Sequence, residues 1–316
     1  MTSRPNGVTE HHMEMIYDLR QIESTLESIK KRDASYGDLV GRFGPLFEKK
    51  DQVRIHLTTT PLHSPVIDAT RMAAGVPIFA EADLIYWADA FKQSYESLLP
   101  VLAEVLQLEP DTQRNLLAFL DITENLLEFA QARILGNLSH FERISEQLGL
   151  APSTVLHYIA EAISAPVLNA IVCSMNEALS SLSWEHGYCP VCGSSPSISQ
   201  LTPKNMADSE YLVGGGGKKY LHCSLCGHDW HYKRSACAAC GNDDSETREF
   251  LFLENMKHER IEVCHKCGKY MLNVDMREYA SLPHLDIVQM GLIHLDVLAH
   301  ERNLSPVSPT LWNTIK

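Results

Sequence analysis

The sequence has no long apolar run and no surplus of positive charge. No stretch of about 18 consecutive apolar residues occurs, so no membrane-spanning helix and no membrane insertion are expected. Lysine and arginine number 27 against 40 aspartates and glutamates, a formal net charge of −13. That deficit argues against broad neutralisation of nucleic-acid phosphates. The opening Met1-Thr2-Ser3-Arg4-Pro5-Asn6-Gly7 has no apolar core of the secretory type, and polar residues follow it. A soluble, cytoplasmic chain of about two domains is the expectation. Cysteine is scarce everywhere except in one stretch. Of the nine cysteines, only Cys173 lies outside residues 189–267.

Those eight cysteines form four Cys-x-x-Cys pairs: Cys189/Cys192, Cys223/Cys226, Cys237/Cys240 and Cys264/Cys267, each followed at once by glycine. Two thiolates three positions apart on a tight turn can face one cation, and two such turns complete a tetrahedral sulfur shell. The glycine admits positive φ, which turns backbone N–H groups back toward the sulfurs. Four pairs therefore suggest two closed four-sulfur sites. A disulfide framework belongs to short secreted chains, and a redox dithiol pair is usually single. Sequential pairing closes the shorter loops and is expected, although an interleaved arrangement stays open from sequence. Cys173, among Val167, Leu168, Ile171 and Val172, is expected to be a buried structural cysteine.

Residues 1–184 read as an all-helical domain. Met13, Ile16, Leu19, Ile22, Leu26 and Ile29 recur at helical steps, and a second helix is expected over Tyr36–Glu48. Thr58–Pro65 reads as a loop. A helix over Glu81–Leu106 carries the seam Leu84, Ala88, Phe91, Tyr95, Leu98 and Leu102, with Pro100 expected to kink or end it. Further helices are expected from Pro110 to Gly136, from Ser139 to Gly149 and from Ser153 to about Ser183, the last interrupted or kinked at Pro166. Tyr86, Trp87, Phe91, Phe119 and Phe129 fall at helical spacing and read as core.

Beyond residue 184 the periodicity shortens. Strands are expected at Lys219–His222, Trp230–Lys233, Glu249–Leu253 and Tyr270–Val274, with Gly214–Gly217 at a hairpin tip. The expected units are a first ribbon over 185–234 and a second over 235–275, each too small to hold together without metal. A C-terminal helix over Leu282–Arg302 and an extended tail complete residues 276–316. His222, His228 and His231 flank the second knuckle and read as solvated or supporting groups, since eight thiolates already fill both sites. His284, His294, His300, Asp286 and Asp296 read as surface residues.

The segments Cys189-Pro190-Val191-Cys192-Gly193-Ser194, Tyr220-Leu221-His222-Cys223-Ser224-Leu225-Cys226, Trp230-His231 and Cys264-His265-Lys266-Cys267-Gly268-Lys269-Tyr270 resemble the FdhE family of formate dehydrogenase accessory proteins. Leu295-Asp296-Val297-Leu298-Ala299-His300-Glu301 and the Ser-Pro segment after it resemble the family's ending. The motif match covers about residues 185–316, while the helical half agrees only in general character. The resemblance implies a multidomain α+β protein with two rubredoxin-like or zinc-ribbon-like modules. It implies a cytoplasmic assembly factor, not an enzyme, which binds the catalytic subunit of a respiratory, twin-arginine-exported formate dehydrogenase. It also implies two iron ions, one on each set of four cysteines, with zinc as the alternative metal. A competing reading is a zinc-ribbon nucleic-acid binder using Lys218, Lys219, Lys233 and Arg234 with Tyr220, Trp230 and Tyr232 between them. A thiol or metal redox enzyme is disfavoured, because no ninth cysteine lies near the sites.

Overall fold

The computed structural model of the protein describes residues 19–202 and 217–314. Met13, Ile16 and the first three glycines of the Gly214–Gly217 run lie outside them. The helical half opens with α1 (Leu19–Lys30), α2 (Ala34–Thr58) and the short α3 (Ala69–Ala73). It continues through α4 (Ala88–Leu106), α5 (Pro110–Leu120), α6 (Thr123–Ile134), α7 (Leu138–Leu148), α8 (Ser153–Ser174) and α9 (Asn176–Ser180). Two single turns of 3₁₀ helix, Ile78–Glu81 and Leu84–Trp87, precede α4.

Several boundaries differ from the sequence expectation, each for a local reason. The helix expected over Tyr36–Glu48 contains Pro45 and runs ten residues further, to Thr58, because Val53, Arg54 and Leu57 continue its buried face. Pro100 and Pro166 do not end their helices. Buried residues on both sides, Leu98 and Leu102 in α4 and Ile163 and Leu168 in α8, hold the turns together across the missing donor. The stretch from Pro110 to Gly136 is two helices with a break at Asp121-Ile122. Asp121 accepts the Tyr95 hydroxyl there.

Helix α8 is the axis of the bundle and packs against α2, α4, α6 and α7. It is apolar all round, with a mean hydropathy of 1.5 over 18 residues, and is the one described helix long and apolar enough to cross a membrane. Yet 72% of that window is buried inside the protein. At roughly 1.5–3 kcal/mol for each large apolar side chain buried, packing rather than amphipathic patterning stabilises it. Trp87, Phe91, Phe119 and Phe129 lie in the core as expected, whereas Tyr86 is 63% exposed.

The C-terminal half contains β1 (Ile198–Leu201), β2 (Lys219–His222), β3 (Asp229–His231), β4 (Arg248–Phe252), β5 (Glu259–Cys264), β6 (Lys269–Asp275) and β7 (Ser305–Pro306). The two ribbons are joined edge to edge. The strand order is β3-β2-β1-β6-β5-β4, with β7 also pairing β6. The seam is the parallel pair β1–β6, with Ser199 opposite Asn273, and the neighbouring ladders are antiparallel.

The single helix expected over Leu282–Arg302 is two, α10 (Leu285–Gly291) and α11 (Ile293–Glu301). They cover one sheet face, where Ile198, Ile261, Val263, Leu272 and Val274 meet Leu285, Val288, Leu292 and Leu295. The break leaves the Gly291 carbonyl to accept a bond from Arg32 Nη1 at 2.9 Å. Helix α10 also lies against α1: Thr25 Oγ1 accepts the His284 N–H at 2.9 Å. The tail returns to the bundle, where the Trp312 ring meets the edge of Phe43 at 4.9 Å between centroids.

Candidate metal centres

All four knuckles share one backbone design. The N–H of Gly193, Gly227, Gly241 and Gly268 donates to the carbonyl of the first cysteine of its pair, at 2.7 to 2.9 Å. These glycines have φ between 68° and 80°, the left-handed conformation the sequence calls for. Three knuckles are also clasped from behind, with the N–H of Cys189, Cys223 and Cys237 donating to Ser194, His228 and Asn242. The fourth sits at the β5–β6 turn, with Cys264 opposite Lys269.

The structure brings the pairs together in sequence order. Cys189, Cys192, Cys223 and Cys226 form site I; Cys237, Cys240, Cys264 and Cys267 form site II. Within each group the sulfurs lie within 4.8 Å of one another. In site I, Cys189–Cys226 and Cys192–Cys223 are 3.5 and 3.4 Å apart. In site II, Cys237–Cys267 and Cys240–Cys264 are 3.8 and 3.7 Å apart. A tetrahedral ion with metal–sulfur bonds of about 2.3 Å sets its sulfurs roughly 3.8 Å apart, and a disulfide would need about 2.05 Å. The donor set and spacing therefore fit a four-coordinate metal ion at each site.

Electrostatics point the same way. Burial, with the neighbouring thiols, drives the Cys189 and Cys226 thiols far up. Against the same burial, hydrogen bonds from Cys189, Cys223 and Cys226 hold Cys192 well down. Four sulfurs crowded away from water cannot all ionise without a cation among them. In site II, burial raises the Cys264 thiol, but the N–H groups of Cys267 and Lys266 outweigh it and bring the thiol to about 6. Burial pushes Cys267 up to about 12.

The surroundings of the two sites differ. All four site I cysteines are buried and belong to the apolar core of the helical half. The Ile78 and Phe79 N–H groups donate to the Pro190 and Val191 carbonyls at 3.0 and 2.8 Å. The Tyr188 hydroxyl donates to Gly75 O at 2.7 Å. Arg133, paired with Glu161, is raised despite burial, in part by the charge of Cys192 and Cys223. In site II, Cys237 and Cys264 are buried, Cys267 is half-buried and Cys240 is exposed. Asn242 Nδ2 donates to Cys264 Sγ at 3.7 Å.

The histidines depart from expectation. His222 is fully buried between two carboxylates, Nδ1 being 2.7 Å from Asp229 and Nε2 3.1 Å from Asp286. Burial lowers its pKa, but Asp229 and Asp286 outweigh that and raise it to about 10. Burial pushes His228 down to about 4. His284 and Asp296, read from sequence as surface residues, are buried, because α10 and α11 lie between the sheet and the bundle. His300 is exposed as expected. Cys173 is half-buried, its thiol 3.5 Å from Asn169 Oδ1.

The basic–aromatic patch of the nucleic-acid reading is dismantled by the fold. Lys219, Trp230 and Tyr232 are buried, and the Lys219 ammonium is paired with Glu262. Lys218, Lys233 and Arg234 remain exposed. Sequence reasoning had no signal for the Lys219–Glu262 pair, whose partners are 43 residues apart.

Comparison with known proteins places these features in context. Residues 188–234 match the family described as "FdhE, central domain". The "Protein FdhE homolog" of Aquifex aeolicus (strain VF5) is 32% identical over 124 residues, which cover 39% of this chain and 41% of that protein. The one from Shewanella oneidensis is 33% identical over 131 residues, 42% of this chain and 39% of that protein. The chain thus spans about two fifths of the length of these curated relatives. A homolog from Shewanella sp. (strain MR-4) is 29% identical over 240 residues, 75% of this chain and 68% of that protein. Among solved structures, the crystal structure of the FdhE protein from Pseudomonas aeruginosa superposes with a TM-score of 0.60 at 20% identity. That likeness covers 93% of this chain and 94% of the other, and it shows a shared fold.

Proposed function

We propose, from the likeness of this chain to the FdhE family, that it is a cytoplasmic accessory protein in the formation of respiratory formate dehydrogenase. It binds the catalytic subunit before twin-arginine export and does not itself turn over a substrate. The observation that carries the reading is the pair of four-thiolate clusters, whose sulfur spacing fits a tetrahedral ion. Cys189, Cys192, Cys223 and Cys226 hold one ion, and Cys237, Cys240, Cys264 and Cys267 hold the other. The ion is iron, with zinc as the alternative; four thiolates accept both. Bound metal supplies charge neutralisation for eight sulfurs and staples the sheet.

The remaining residues support this role. The Cys189 knuckle is fastened to the helical half by the Ile78 and Phe79 N–H groups, so the metal-bearing sheet and the bundle present one continuous surface. Helix α8 is enclosed by α2, α4, α6 and α7 and is buried along most of its own length, so the bundle core is closed and a client is met at the surface.

The test is capture from respiring, formate-grown cells with this protein as bait and partners identified by mass spectrometry. Enrichment of the formate dehydrogenase catalytic subunit is expected. A deletion strain that retains full respiratory formate oxidation would overturn the reading.

A further inference from the structure

The two metal centres differ in what lies between their cysteines. In site I the intervening residues are Pro190-Val191 and Ser224-Leu225, with Pro190, Val191 and Leu225 buried against the protein. In site II they are Ala238-Ala239 and His265-Lys266, and Ala239, His265 and Lys266 are exposed. Ala239, Cys240 and Gly241 form a continuous exposed edge. Nothing lies within 4 Å of where a Cβ on Gly241 or Gly268 would stand. By contrast, a Cβ on Gly227 would meet Asn169 Nδ2 at 2.0 Å, and one on Gly193 would meet Pro77 Cγ at 3.1 Å. One centre is sealed by the bundle on its knuckles; the other is open on one ligand.

We propose that site II is an exchangeable metal centre at which an external thiolate takes the place of Cys240, while site I is closed to exchange. The proposal rests on metal occupancy of both sites, as put forward above. A soft thiolate is the matching donor for a four-sulfur site, and it approaches along the face left open at Ala239, since Ala238 is packed against the core. The exposed Lys266 beside Cys267 favours an anionic donor. In the exchange the bond from the ion to Cys240 breaks and a bond to the incoming sulfur forms. Cys240 leaves as a thiol, carrying the proton that the incoming thiol gave up, and no electrons are transferred. Cys237, Cys264 and Cys267 keep the ion in place throughout. Site I has no equivalent route, because all four of its sulfurs lie in the core.

The test uses the full chain loaded with Co(II), whose visible spectrum reports a four-sulfur shell. The Cys240→Ala protein is expected to bind two ions, one of them in an incomplete shell, and 2-mercaptoethanol is expected to restore the four-sulfur spectrum. Restoration by a cysteine-containing pentapeptide as well would identify a partner's side chain as a competent donor; restoration by the small thiol alone would limit the donor to low-molecular-weight thiols. Failure of both would overturn the proposal. In the wild-type Zn(II) protein, release to the chelator 4-(2-pyridylazo)resorcinol is expected in a fast and a slow phase of one equivalent each. Iodoacetamide applied during the fast phase is expected to label Cys240 ahead of the site I cysteines. A single phase for both ions, or first labelling of Cys189, Cys192, Cys223 or Cys226, would also overturn it. A protein that binds no metal at all would sink the metal reading itself, and is told apart by metal analysis before the chelator is added.

Discussion

Arg32, in the turn between α1 and α2, grips both carboxylate oxygens of Glu259 at the start of β5. The partners are 227 residues apart. The same guanidinium donates to Gly291 O, and the Tyr279 hydroxyl donates to Glu259 at 2.7 Å. Glu259 is 1% exposed, so the arginine stands where water would otherwise solvate a carboxylate. This one ion pair ties the helical half, the sheet and the α10–α11 break together. Arg32→Ala is expected to cost about 3–5 kcal/mol, as when one partner of a buried pair is removed. Urea unfolding would read it; a loss below about 1 kcal/mol would mean the pair behaves like a surface contact.

Gly227 and Gly241 share φ = 70° and differ in their surroundings. Both alanine variants meet backbone strain of about 1–3 kcal/mol. Only Gly227→Ala also drives a methyl group into Asn169 of α8. It is expected to lower the melting temperature of the metal-loaded protein clearly further than Gly241→Ala. Equal losses would show that the site I knuckle is not seated on α8 as described.

Asp296 gives the protein a distinct pH signature. Burial lifts its carboxyl to about 7, against the pull of the Tyr270 hydroxyl at 2.7 Å. The folded state therefore holds a proton that the unfolded chain has released by about pH 4. This group's stabilisation is complete below that value and is lost as pH rises through 7. At about 1.4 kcal/mol per pH unit, Asp296→Asn is expected to gain a few kcal/mol relative to wild type at pH 8 and almost nothing at pH 4. Denaturant melts at the two pH values would show it, and a gain independent of pH would refute the assignment.

Removing metal should be visible in tryptophan emission. Trp184 Nε1 donates to Tyr188 O at 2.7 Å, and Trp230 Nε1 donates to His186 O at 3.1 Å, both beside the first knuckle. Stripping site I leaves buried thiols without a cation and loosens this corner. A red shift is expected on full chelation. Emission unchanged after all metal is lost would mean that the knuckle holds without it.

What could be read in advance follows from how local each signal is. A four-residue knuckle carries its own geometry, so the grouping of the eight cysteines and their glycines was legible, and so was the helical character of the described residues up to Ser180. The centre of the sheet was not. Strand β1 reads Ile-Ser-Gln-Leu, and its two polar residues break any apolar pattern. Ser199 and Gln200 are nonetheless buried, because Glu262, Asn273 and Asp229 satisfy them. Those partners are 29 to 74 residues away, so no window along the chain contains them. His284 and Asp296 were misplaced for a related reason: helical spacing tells which residues share a face, but not which of those faces another element will cover.

The parallel seam also sets an order on synthesis. Strand β1 can pair with β2 once Lys219–His222 has been made, but its other edge waits for Leu272–Asp275. A chain leaving the ribosome therefore has the ligands of the first knuckle pair in hand while one edge of β1 is still open. The intervening residues, including all four site II ligands, must be made before that edge is covered. The pairing of Ser305 and Pro306 with β6 comes after all the other described strands have been made.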